Sequence, residues 1–182
     1  MAAFAAIDWT NSSEREQLAA VRRAWPEELN QILCEYDWSL YPETVLGWAS
    51  AQRGITLCAA ITSFFNSDPM RFNYLPRSDV PAQYHGICRL LDAMAQRVNA
   101  GFYLPNVTHV PCTQQKTLRN WMYYQQEDVI DNRRGRWVFE EELIEPLLNP
   151  APEVKPRAAE RSDSEKARFP DLGALVKPLM NF

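Results

Sequence analysis

CEYDWSLYPETVLGW, residues 34–48, places two tryptophans, two tyrosines and a proline close together. Such a concentration of rings marks either an exposed binding surface or a corner between two buried helices. The flanks favour the corner. Upstream, PEELNQILCEY (26–36) opens on a proline, which fits a first helical turn, and its glutamates suit the positive end of a helix. Leu29, Ile32, Leu33 and Tyr36 recur there at helical spacing. Downstream, Pro42 and Glu43 repeat the same opening for a helix over 42–52. Tyr36, Trp38, Tyr41 and Trp48 then surround a tight helix–helix connection. Rings in such a place bury much area, and their polar tips reach backbone groups left unpaired at helix ends. Asp37 or Ser39 is the expected cap of the second helix.

Working outward, a first helix is expected over 13–25, capped by Asn11, Ser12 or Ser13, with Leu18, Val21 and Trp25 at apolar positions. Thr56 is placed to cap LCAAITSFF (57–65), which is apolar nearly all round and therefore central. Residues 66–81 read as a loop with one short turn at Asp68 and Pro69. A long helix over 82–103 turns Ile87, Leu90, Leu91, Met94 and Val98 inward and stops at Gly101. Further helices are expected over 114–131 and within 137–148. No sustained apolar–polar alternation occurs, and FYL (102–104) and WVF (137–139) are too short to make a sheet. The predicted class is all-α, a compact bundle of six to seven helices over 1–149.

The character changes after Asn149. Residues 150–168 are rich in proline and charge, a linker composition. Residues 169–182 are apolar again, with Phe169, Leu172, Leu175, Val176 and Leu179 able to share one helical face. That segment is either a strap for its own core or a peptide for another protein's groove, and these five residues are the expected partner-binding set.

A chain of 182 residues with 46% apolar composition supports one domain with a real core. A net charge of −4 gives no general attraction to nucleic acid or anionic membrane. The four widely spaced cysteines read as reduced thiols, the start lacks a basic leader, and no run is long enough to span a membrane. A cytoplasmic location is the expectation. The six scattered glycines form no phosphate-cradling loop, and neither G-x-S-x-G nor H-E-x-x-H occurs.

The run PEELNQILCEYDWSLYPETVLGWA, then TLCAAITSFF, then LLDAMAQRVNAGFY resembles a family of small uncharacterised bacterial all-helical domains of unknown function. Their pattern is a helix ending in Tyr-Asn-Trp-Asp, a proline-started helix, and a Leu-Gly-Thr-Ala-Leu-like helix leading into aromatic residues. The resemblance covers residues 26–103. Asp37 stands where the family has asparagine, Ser39-Leu40 where it has an acidic pair, and Thr56 where it has aspartate. No activity follows from it. It implies a small soluble protein of the kind found beside bacterial toxin and immunity systems, hence an interaction role by analogy.

Two further clusters carry chemistry in principle. Both histidines precede a cysteine by three residues, in HGIC (His85, Cys88) and HVPC (His109, Cys112). Two such halves would supply four zinc ligands and leave no open position, so the site would be structural. The plainer reading is core and loop residues. Between 116 and 137, Arg119, Trp121, Arg133, Arg134 and Arg136 interleave cations with rings, as single-strand binders do. The plainer reading there is a solvated basic helix face and a polar turn, since acidic residues interrupt the stretch. Cys112 with either histidine, the Glu140–Glu145 carboxylates, and Asp68 with Arg71 or Arg77 complete the candidates. The function expected from these residues is a non-catalytic cytoplasmic protein-interaction module without a cofactor, with oligomerisation left open. A zinc-stabilised or metal-dependent enzyme and a nucleic-acid binder are the alternatives.

Overall fold

The computed structural model describes residues 7–105 and 113–149, all within one compact unit. Among them are eight α-helices: α1 (Glu14–Val21), α2 (Pro26–Glu35), α3 (Pro42–Ala49), α4 (Leu57–Asn66), α5 (Met70–Asn73), α6 (His85–Asn99), α7 (Gln115–Ile130) and α8 (Glu141–Leu148). The described residues contain no strand. One isolated bridge joins Thr56 to Leu104, through Leu57 N–H to the Leu104 carbonyl and Leu104 N–H to that of Ile55, both at 2.8 Å. The all-α class is therefore observed. The extra helix is α5, a single turn inside the stretch expected to be loop, followed by two 3-10 turns at Arg77–Asp79 and Ala82–Tyr84.

Local chemistry sets the helix starts. Ser13 closes a capping box with Glu16, whose carboxylate accepts from the Ser13 amide at 2.9 Å. Thr56 caps α4 by accepting from the Ala59 amide at 3.2 Å. Pro26 and Pro42 open α2 and α3. Trp25 departs from its expected place: α1 ends at Val21, and the Trp25 ring is 73% exposed beyond it.

The corner at 36–42 forms, with a different cap from the one expected. Asp37 Oδ1 accepts from the Ser39 amide at 2.8 Å within the turn, and Tyr41 occupies the cap position of α3 without a side-chain bond. The Tyr36 hydroxyl does the closing. It accepts from the Tyr41 amide at 3.1 Å and donates to Gln17 Oε1 at 2.6 Å. Gln17 is fully buried and donates to the carbonyls of Trp9 (2.6 Å) and Ser12 (3.1 Å). A relay of polar groups thus ties the chain before α1 to the α2–α3 corner.

Helix α4 is central, with Leu57 and every residue from Ala59 to Phe65 buried. Phe64 meets Phe65, Trp121, Trp137 and Phe139 edge-on at 5.1–5.8 Å between ring centres. This aromatic cluster joins α4, α7 and the extended stretch before α8. Helices α2 and α6 pack on α4, and α8 packs on α7. None of the helices among the described residues is long and apolar enough to cross a membrane.

Candidate functional site

One polar stripe runs along α6: His85, Arg89, Asp92, Gln96 and Asn99 recur at three- and four-residue steps. The turn at 77–80 approaches it from one side and the segment 134–138 from the other. Together they frame two depressions of about 270 and 410 Å³ that share Arg77, Asp92 and Arg136.

Asp92 is the hub. Arg136 donates to it through Nε (2.9 Å) and Nη2 (2.8 Å), and the Trp137 indole N–H donates at 2.8 Å. Arg77 Nη2 stands 3.8 Å away. Burial pushes the Asp92 carboxyl up, but the bonds from Arg136 and Trp137 and the charges of Arg136 and Arg77 outweigh it. The group is held below the ordinary carboxylate value of 3.8. The Arg136 side chain is 12% exposed and its guanidinium lies 5.1 Å over the Trp137 ring.

The segment carrying Arg136 is fixed by amide side chains. The Asn73 carbonyl accepts from the Arg136 amide at 2.7 Å, and Asn73 Oδ1 from the Trp137 amide at 3.1 Å. Asn99 Nδ2 donates to the Val138 carbonyl at 2.7 Å. Gln125 holds both backbone groups of Phe139, accepting at 2.8 Å and donating at 3.0 Å. Gly135 lets this segment lie against Asn73, since a Cβ there would sit 2.5 Å from Asn73 Nδ2.

A second feature lies at the C-terminal end of α7. Val129 and Ile130 are 79% and 76% exposed. Tyr74, itself exposed, reaches the same end by donating its hydroxyl to Asp128 at 2.8 Å. A depression of about 270 Å³ beside Val129 is also lined by Gln125, Asp128, Arg133, Arg134, Gly135 and Val138.

The expected site residues are dispersed among these features. His85 and Cys88 line the same depression. The His85 Nε2 lies 2.8 Å from the Val80 carbonyl, so it carries the proton, and Cys88 is a buried free thiol. His109 and Cys112 lie outside the described residues. Among those described, no three His, Cys, Asp or Glu side chains converge as metal ligands. Of the basic–aromatic set, the Trp121 ring is buried against Phe64 and Phe65 and offers no face for stacking. Arg119 donates to the Leu148 carbonyl at 2.6 Å, and Arg133 pairs with Asp128 (3.1 Å) and Asp131 (3.2 Å). Arg134 and Arg136 border one cleft, and Arg133 and Arg134 border the depression beside Val129. Arg77 pairs with Asp92 rather than Asp68, whose backbone turns left-handed at φ 54°. Phe169, Leu172, Leu175, Val176 and Leu179 lie outside the described residues, as does all of 150–182.

Asp92 had no sequence signal of its own. Its spacing from His85, Arg89, Gln96 and Asn99 was legible as a polar helix stripe, but its partners come from elements 15 and about 44 residues away. Compared with family models, curated proteins and solved structures, the chain matches none.

Proposed function

We propose that this domain is a non-catalytic protein-interaction module of the bacterial cytoplasm, working through the C-terminal end of α7. The observation that carries the reading is the exposed pair Val129 and Ile130. Branched side chains are second-rate helix formers, and exposed ones gain no burial energy, so the fold itself has no use for them there. Single exposed apolar residues are ordinary. Here two adjoin each other, Tyr74 stands at the same end, and a depression opens beside Val129. That combination suits a partner that inserts an apolar side chain. The widely spaced cysteines and the partial resemblance over 26–103 support the cellular setting.

The test is the double variant Val129→Asp/Ile130→Asp. Its melting temperature stays near that of the parent, because neither residue belongs to the core. In native cell extract the parent elutes in a complex larger than itself and the variant elutes alone. Identical elution of both chains would sink the proposal.

A further inference from the structure

We propose that the cleft over Asp92 binds a phosphate monoester dianion. The inference rests on how the arginines are held and not on the exposed pair Val129 and Ile130, although Arg134 and Val138 border both features.

Four arginines border the two joined depressions, Arg77, Arg89, Arg134 and Arg136. Against them stand Asp92, within the cleft, and Glu43, 3.8 Å from Arg89. The surplus is two positive charges, on a chain whose net charge is −4. A local excess of that size, set against an acidic background, matches a dianion rather than a polymer of phosphates.

The cations differ in their freedom. Arg136 is locked: Asp92 takes Nε and Nη2, leaving Nη1 with no protein acceptor among the described residues. That is a donor already oriented, so little entropy is lost when an anion takes it. The Arg77 side chain is 81% exposed, and Arg134 is exposed without an acidic partner among the described residues. Both are free to swing over a bound group and supply the paired N–H bonds that phosphate oxygens accept. Asp92 therefore fixes Arg136 through two short bonds and meets Arg77 only at 3.8 Å, while Arg134 has no acidic partner among the described residues.

The walls define the rest of the ligand. Val80 closes one depression, and Ala95 and Val138 line the other. About 270 and 410 Å³ exceed what a lone phosphate fills and leave room for an organic substituent against those apolar side chains. An ester fits where free phosphate would leave space.

The Trp137 indole N–H, bonded to Asp92, reports on this site in nitrogen–proton NMR spectra and is assigned with Trp137→Phe. Titration of the full chain with O-phosphoserine, glucose 6-phosphate and inorganic phosphate, at low salt, should shift that signal saturably at millimolar concentrations. Either ester should bind more tightly than inorganic phosphate, and all should exceed succinate. The better ester tells whether the source is a protein side chain or a metabolite. Arg77→Ala/Arg134→Ala should weaken ester binding about tenfold with an unchanged melting temperature, since exposed ion pairs add little stability. No saturable shift, equal binding by the double variant, or succinate binding as tightly as the esters would each overturn the proposal.

Discussion

Single side chains close this fold at places where helices alone leave groups unpaired. The Tyr36 hydroxyl is bonded on both sides, to buried Gln17 and to the Tyr41 amide. Tyr36→Phe strands the Gln17 oxygen in the interior, and it should cost about 1–3 kcal/mol in chemical denaturation. A cost below about 0.5 kcal/mol would show that the relay carries no weight. Two titrations act at the same scale. The Asp92 carboxyl is lowered, so its contribution is present above the ordinary value of 3.8 and is lost as pH falls through its lower folded value. Burial pushes the hydroxyls of Tyr36 and Tyr103 up to about 12. Their contribution is present below the ordinary 10.0 and is lost as pH rises toward 12. Denaturation midpoints should fall at both extremes, and Tyr103→Phe should flatten the alkaline fall. An unchanged alkaline slope in that variant would contradict the assignment. Tyr36 was legible in the sequence as a corner ring at a helix end. Gln17 was not, because its burial depends on a partner 19 residues away.

At the level of elements, the segment Arg136–Glu140 shows how an extended stretch survives without a neighbouring strand. Asn73, Asn99 and Gln125 supply the donors and acceptors that a sheet would have supplied. Gly135 makes the approach possible. Gly135→Ala should destabilise by about 1–3 kcal/mol, because the new methyl falls on the Asn73 amide and displaces it. A neutral effect in thermal unfolding would mean that Asn73 moves aside without cost. Helices α2, α3, α4, α6 and α7 were legible from proline starts, the Thr56 cap and apolar spacing. The one-turn helix α5 was not, since four residues carry too little periodicity to register. The expected cap of α3 does not form for a related reason: Asp37 finds a closer amide, that of Ser39, inside its own turn.

For the molecule as a whole, one aromatic cluster around Phe64 draws α4, α7 and the 137–139 segment into a common core. The all-α class followed from the absence of alternation and from the apolar run 57–65. The cleft was hidden because Arg77, Asp92 and Arg136 come from three separate segments and meet only through tertiary packing. Nothing in the core requires Val129 and Ile130 at the surface, and the account rests on an outside chain meeting them. The most direct test replaces Ile130 of the full chain with a photo-crosslinking amino acid in the native host. The account predicts a discrete protein adduct that disappears when Val129→Asp is added and does not form from the exposed position Arg15. Equal labelling from both positions, or an adduct indifferent to Val129→Asp, would contradict it.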